Sequence, residues 1–529
     1  MFYFISAWYH SERPWYDNTE SWYRRGSAMD FDDTINHLRM FWHAQKETTL
    51  VVFNYMPNLR YFTHRYDLLE VPTWNAFDAI QDIQVAEHRI LDYRDLKWPE
   101  GVSFTYTPFM VVARLGQETI AHIEFGDEGQ MVWIDAFAKG QLTHKYVFDD
   151  RGFLSSILFY QDGQPHHQDY LNTNGEWQIR EMLTPTDQSV TINPRVAHRF
   201  ARQQYNHMGE LVKEQARHYF AQHDQADDVL FIASDARHNS IAFAGKGKKR
   251  AVLSFFRNRF DLSQTNDLIR LMGVSDLVIA DTKSLAEELK NLTQEPVEHI
   301  SPFDTRLTLG KSQRIKELII YFVVDAFTAQ GLEKCYEIFF RLMRENEHVV
   351  LSVITYDRDP AMVEEHRQQL AELVAKEDAK EAGVILEDPN QQRGQSENTT
   401  DEEEDETPPR VFFDNLHSEL EVIDHLDSAR IIVDLSPEPD LYTQIAGISA
   451  GIPQINAQGS EFVEHLKNGY IITTFTDLEE GLHYYLDGLA NWNESLVNSV
   501  QKIVAYTSGN LVQNLLTHLD MKTDEKHEK

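Results

Sequence analysis

A long run of hairpin signals interrupts a chain that otherwise alternates buried strands with helices. From about Gly101 to Asn193 the apolar segments are short and rich in β-branched and aromatic residues, as in Met131–Phe137, Lys145–Phe148, Leu154–Tyr160 and Trp177–Met182. Between them stand Gly126-Asp127-Glu128-Gly129, Asp149-Asp150-Arg151-Gly152, Gln161-Asp162-Gly163 and Asn172-Thr173-Asn174-Gly175. Those residue types supply tight-turn geometry, so the region reads as an antiparallel sheet. Before it, Leu50–Asn54 is a compact apolar run suited to a buried parallel strand, and Phe31–Trp42 carries Ile35, Leu38 and Phe41 or Trp42 on one helical face. Beyond Pro194 come Asp228–Ser234, Arg250–Phe255 and Asp276–Ala280, with helices at Gln204–His223 and Leu262–Met272. A second block starts at Lys316 and alternates strands with helices at Leu332–Asn346 and Met362–Lys376, then adds strands at Ala429–Leu435 and Pro453–Ile455.

This pattern predicts an α/β chain with two Rossmann-type domains and an inserted antiparallel β-sheet domain. The expected parts are 1–98 and 196–305 for the first Rossmann-like domain, 99–195 for the insertion, 306–490 for the second, and 491–529 for a C-terminal helix and tail. Ligand clefts in such sheets lie beyond the carboxyl ends of the strands.

Composition narrows the function. The net charge of −35 argues against a nucleic-acid binder and against an anionic membrane surface. Twelve acids against three bases between Lys376 and Pro409 account for nine of those charges; the polar stretch at about 387–409 reads as a solvated, disordered loop. No apolar run is long enough to span a bilayer, and the N-terminus lacks the basic, leucine-rich and small-residue segments of a signal peptide. The single cysteine, Cys335, excludes a disulfide framework and a cysteine metal cluster, fits a reducing cytoplasm, and reads as core beside Ile338 and Phe339. His166-His167, near Asp162 and Asp169, reads as a polar hairpin in preference to a metal site. No cofactor is expected.

The richest stretch is Leu435–Pro453, LSPEPDLYTQIAGISAGIP. Glu438 stands in a Pro-rich loop, a small-residue helix runs from about Ile445, and Gly451-Ile452-Pro453 closes it. This frame resembles the E-x7-E, A-x3-G-x-P motif of retaining GT-B glycosyltransferases, whose second Glu binds the nucleotide ribose. Counting eight from Glu438, or five back from Gly451, gives Ala446. The same family follows its first C-domain strand with an Arg and a Lys that hold the donor pyrophosphate; here those places hold Asp325 and Gln330. A carboxylate there repels a pyrophosphate. Glu438 is either an exposed loop acid or a retained sugar contact.

Two further groups are candidates. Ala244–Phe260 concentrates six bases: Lys246, Lys248, Lys249 and Arg250 read as a solvated strand approach, whereas Arg257 and Arg259 follow a buried strand and are candidate contacts for an anionic or glycan ligand. Trp8-Tyr9, Trp15-Tyr16 and Trp22-Tyr23 recur every seven residues, but Pro14 argues against one helix. They read as an aromatic edge packed on the core or as a partner interface.

The opening FYFISAWYH with PWYDNTESWYR, then FDDTINHLRMF, and the frame around Glu438–Pro453 together resemble the first of the accessory secretory proteins of the accessory Sec system of streptococci and staphylococci. The resemblance implies a cytoplasmic, non-catalytic adaptor. Its implied partners are the second and third accessory secretory proteins, the accessory SecA ATPase and a glycosylated serine-rich repeat adhesin precursor, with membrane association only through partners. Glycan binding is also implied. The competing expectations are an active retaining GT-B glycosyltransferase and a lectin-like binder.

Overall fold

The computed structural model describes residues 1–9, 13–16, 32–84, 89–126, 129–256, 259–260, 262–263, 265–300, 309–325, 329–357, 359–376, 384–387, 409–417, 419–505 and 511–519. The described residues up to Ile300 group with those from Val512 onward; those from Leu309 to Leu511 form a second compact unit.

The first unit is built on a seven-stranded parallel sheet. Its order is Val297–His299, Leu277–Ala280, Arg250–Phe255, Val229–Ala233, Phe2–Ile5, Thr48–Val52, Thr73–Asn75. Phe2–Ile5 lies near the middle, pairing Phe2 with both Val229 and Thr48. Every residue of Thr48–Val52 and Val229–Ala233 is buried, which is why these strands read as unbroken apolar runs.

The hairpin region forms a ten-stranded antiparallel sheet whose strands follow in sequence from Val102–Tyr106 to Gln204–Tyr205. Trp133, Val147, Tyr170 and Ile179 from this sheet join Tyr55 and Phe77 in one core. Arg151 fixes the junction. Its guanidinium donates to both carboxylate oxygens of Asp78 at 2.7 and 2.9 Å and to both of Asp149 at 2.7 and 2.9 Å. The next residue, Gly152, has φ +86°, and a Cβ there would stand 2.0 Å from the Arg89 carbonyl oxygen. Only glycine fits that turn.

The second unit carries a six-stranded parallel sheet in the order Val411–Asn415, Val349–Thr355, Leu318–Val323, Ala429–Asp434, Gln454–Asn456, Gly469–Ile471. The helix Leu441–Ala450 is pressed onto it. A Cβ on Gly447 would meet Ile432 Cδ1 at 2.5 Å and Gln454 Nε2 at 2.8 Å. Asp440 caps the helix by accepting from Thr443 N–H, and Gly451, at φ 74°, ends it in the left-handed region. The helix Leu489–Ala505 contributes the fully buried Trp492, whose indole N–H donates to the Arg430 carbonyl at 2.8 Å.

The α/β class with parallel sheets and an antiparallel sheet is therefore as the sequence predicts. Gly447→Ala is expected to cost about 1–3 kcal/mol through overpacking of helix on sheet. Urea unfolding followed by tryptophan fluorescence checks this; a loss below about 0.5 kcal/mol would mean the contact yields without strain.

Candidate functional site

Each parallel sheet has a switch point, where the chain stops adding strands on one side and starts on the other. Ligands of open α/β sheets bind at the carboxyl ends of the strands there. In the second unit the switch point lies between Leu318–Val323 and Ala429–Asp434. Asp325 follows the first of these strands. Its carboxylate accepts from the Thr355 hydroxyl and, at 2.7 Å, from the Tyr356 backbone N–H. Desolvation raises its pKa, and those two hydrogen bonds oppose the rise.

A chain of hydroxyls runs beside it. Tyr321 and Tyr356 meet at 2.6 Å, and Tyr356 meets Thr443 at 2.6 Å. Burial raises both tyrosine pKa values, so both rings stay neutral. On the other strand, Asp434 is buried and organises the following loop. It accepts from Ser436 N–H at 3.0 Å, Ser436 hydroxyl at 2.5 Å and Asp440 N–H at 3.0 Å. Glu438, within that loop, is exposed and makes no hydrogen bond or ion pair among the described residues.

Such an edge is poorly built for an anion. A helix N-terminus binds phosphate through free backbone N–H groups, but Asp440 already occupies that end of Leu441–Ala450. Two like unit charges 4 Å apart repel by about 4 kcal/mol at an effective dielectric near 20, against about 1 kcal/mol for one hydrogen bond. Ala446 is buried, at 3% exposure, and offers no polar atom from its side chain. Gln330 is the second residue of the helix Ala329–Glu345.

In the first unit the switch point lies between Phe2–Ile5 and Val229–Ala233. There the Tyr9 hydroxyl meets His238 Nδ1 at 2.8 Å, and the Arg237 guanidinium lies 4.6 Å from the Tyr9 ring centroid while pairing with Asp235 at 2.9 Å. Burial pushes His238 down to about 4, so the ring is neutral. Arg259 takes an internal role in place of the ligand-facing one expected from its position. It donates to both oxygens of Asp33 at 2.6 and 2.7 Å and to the Ser234 carbonyl at 2.9 Å, while the Ser254 hydroxyl also donates to Asp33. A charge neutralised this way offers little to an anionic ligand.

The aromatic N-terminus is knitted into the same unit. Trp8 packs edge-on against Phe62 at 4.7 Å and Tyr9 edge-on against Trp15 at 5.6 Å, while Tyr16 lies tilted against Tyr55 at 5.3 Å. Arg13 locks the segment to the inserted sheet, donating to Glu181 at 2.5 Å and to the Tyr170 hydroxyl at 3.1 Å. Trp22, Tyr23, Arg257 and most of the acidic stretch at 387–409 lie outside the described residues. His166 and His167 sit in a strand with their Nδ1 atoms 2.8 Å apart, and His167 stacks on Phe159 at 4.3 Å. No group of three or more His, Cys, Asp or Glu side chains among the described residues is arranged to hold a metal. Cys335 is buried in the core, and burial raises its thiol to about 12. Among the described residues no helix is long and apolar enough to cross a membrane.

Two parallel α/β units match the GT-B glycosyltransferase class of fold, and here the first unit carries an added antiparallel sheet. The pneumococcal O-GlcNAc transferase GtfA, solved with UDP and GlcNAc, superposes with a TM-score of 0.67 over 99% of both chains at 11% identity, which concerns the fold alone. Within that class the chain belongs to the family of the first accessory secretory protein of the accessory Sec system, whose model matches residues 1–521. Relatives described as that same accessory Sec system protein are 36% identical in Streptococcus gordonii, over 99% of this chain and 100% of the relative, and 32% identical in Staphylococcus aureus, over 97% and 98%. The solved Glycosylation Associate Protein (Gap123) complex from Streptococcus agalactiae holds a chain 41% identical, with a TM-score of 0.85 over 98% of this chain and 100% of that one.

The pair Asp32 and Asp33 gives a test of the first edge. Burial and the neighbouring Asp33 charge raise Asp32 to about 6, whereas for Asp33 burial is outweighed by Arg259, which holds it below the ordinary value. A free carboxylate titrates near 4. Between those values the folded state holds the extra Asp32 proton, so its contribution to stability falls as pH rises from about 4 to about 6. The depressed Asp33 acts oppositely: its contribution is present above about 4 and lost as pH falls through its folded value. Asp32→Asn keeps the helix cap and is expected to stabilise by about 1–2 kcal/mol at pH 7.5, with no gain below about pH 4. Asp33→Asn is expected to cost about 3–5 kcal/mol at pH 7.5, because Arg259 is left buried and unpaired. Denaturant melts at both pH values check the signs; equal effects of the two variants would refute the assignment.

Proposed function

We propose that this chain is a non-catalytic, glycosyltransferase-like adaptor of an accessory Sec system. It works in the cytoplasm and aids export of a serine-rich repeat glycoprotein adhesin. It does so by assembling with the second and third accessory secretory proteins and, through them, with the accessory SecA motor. The observation that carries the reading is Asp325, whose carboxylate is bonded to Thr355 and Tyr356 where a pyrophosphate-holding cation would stand. The capped helix and the buried Ala446 support it, since a donor nucleotide would have to find other contacts for both its phosphates and its ribose. Assembly is supported by similarity to chains in solved complexes: the Streptococcus agalactiae complex above, and the accessory secretory protein 1, 2 and 3 structure from Streptococcus pneumoniae, where the matching chain is 33% identical with a TM-score of 0.85.

A second reading has one observation in its favour. Glu438 is exposed and unengaged among the described residues, so it remains free to accept sugar hydroxyls, and a glycan contact at this edge fits a lectin-like binder that works without those partners. The N-terminal aromatics Trp8, Tyr9, Trp15 and Tyr16 keep partial exposure, which suits a partner interface.

Calorimetric titration with UDP and UDP-sugars, on the chain alone and coexpressed with its two partners, is expected to give no binding, and radiolabelled donor is expected to be neither hydrolysed nor transferred. Micromolar binding abolished by Glu438→Ala, or any donor turnover, would end the adaptor reading in favour of an enzyme. A chain that runs as a monomer in the presence of the other two accessory proteins would favour the lectin.

A further inference from the structure

The second unit has a cavity that neither the donor edge nor the adaptor reading uses. It is an open groove of about 800 Å³ beside the strand Gly469–Ile471, where the helix Phe475–Leu486 turns into Leu489–Ala505. Two tyrosines, Tyr470 and Tyr484, form an aromatic wall with ring centroids 5.9 Å apart. Glu480 and Asp487 line it with them, and a third lining acid, Glu479, already holds the Arg341 guanidinium at 3.3 Å. Among the described residues, no lysine or arginine contributes to the lining. The basic group that does, His483, lies 3.1 Å from Asp487 and 3.8 Å from Glu345.

The local potential is visible in the protein's own side chains. Burial raises the Tyr470 hydroxyl, and the Glu480 and Asp477 charges raise it further. The Glu479–Arg341 contact shows that the lining accepts a guanidinium in a side-on ion pair. Gly488 forms part of the lining, and a Cβ added to it would meet no atom within 4 Å. The space is thus open where a side chain would otherwise project.

Of the lining carboxylates, Glu480 is bonded to the Tyr470 hydroxyl and Asp487 meets His483. An electron-rich aromatic wall beside such carboxylates selects a cation with a flat or apolar flank: the ring face attracts the charge and packs the stem, and the remaining carboxylate lone pairs accept its hydrogen bonds. We propose that this cavity is a docking site for an arginine or lysine side chain presented by a protein partner. Charge complementarity chooses the occupant, because an acidic or neutral segment would leave Glu480 without a cation. Arginine is preferred over lysine, since its planar guanidinium can stack on tyrosine while pairing with a carboxylate. The site stands whether or not the chain is an adaptor.

The test uses the full chain and three synthetic peptides, acetyl-Gly-Arg-Gly-amide and its lysine and glutamine counterparts, titrated calorimetrically. The arginine peptide is expected to bind saturably with one site, the lysine peptide more loosely, and the glutamine peptide not at all. Gly488→Leu adds a side chain at an open point of the lining, and Glu480→Gln with Asp487→Asn removes the charge. Each is expected to weaken the arginine peptide at least tenfold, while Glu372→Gln, an exposed acid on the helix Pro360–Val374, changes nothing. Equal binding by all variants would reduce the effect to general attraction toward an acidic protein and overturn the proposal. So would tighter binding of spermine than of the arginine peptide, which would make the site one for a small polyamine.

Discussion

The carboxyl edge of the second sheet depends on Asp434. It ends a central strand, is almost fully buried, and accepts three hydrogen bonds from the loop that follows. Its own carbonyl accepts from the Asn456 amide at 2.9 Å, which ties the next strand to the same point. A buried carboxylate is tolerated only when hydrogen bonds replace its water. Those bonds fix the backbone from Ser436 to Asp440. The cap on Leu441–Ala450, the outward position of Glu438 and the placement of Thr443 against Tyr356 all follow from that backbone. The geometry of this edge is therefore held by residues that point inward, independently of any ligand.

The inserted sheet is kept in place by the same kind of bond. Arg151 pairs with a carboxylate on each side of the junction, Gln81 reaches the Ser155 and Leu171 carbonyls, and the Tyr55 hydroxyl meets Ser156 at 2.9 Å. Most of these join residues far apart in the chain. They add to the aromatic contacts among Tyr55, Phe77 and Tyr170, which join insertion and parent unit. The N-terminal segment joins the inserted sheet through Arg13.

What is legible in the sequence is whatever depends on local chemistry. Turn residues at Asp149–Gly152 and Asn172–Gly175 mark hairpins because only certain side chains suit positive φ. Gly451 marks the end of the motif helix because it is held in the left-handed region. Phe2–Ile5 does not stand out as a strand: four residues carry little periodicity, and its partners lie 46 and 227 positions away, at Thr48 and Val229. The internal role of Arg259 is hidden for the same reason, since its counter-charge is 226 residues distant. The helix of the motif starts at Leu441 and not near Ile445, because the Asp440 side chain caps it just after the prolines of the loop. The cavity at Tyr470 gives no signal in the sequence; its acids come from one amphipathic helix and its end, and look like a solvated face.

Electrostatics links the donor edge to that cavity. The chain carries −35 overall, so a nucleotide diphosphate approaches against the field unless local cations reverse it. Active sites for such ligands devote arginine and lysine to this reversal. Here the described arginines near the strand ends of the first unit are turned inward: Arg259 onto Asp33 and Arg237 onto Asp235. In the second unit Asp325 adds a carboxylate just after a central strand, at the carboxyl edge of the sheet. What repels a phosphate attracts a guanidinium. An aromatic wall converts that long-range preference into a local one, because ring faces discriminate at contact distance whereas net charge does not.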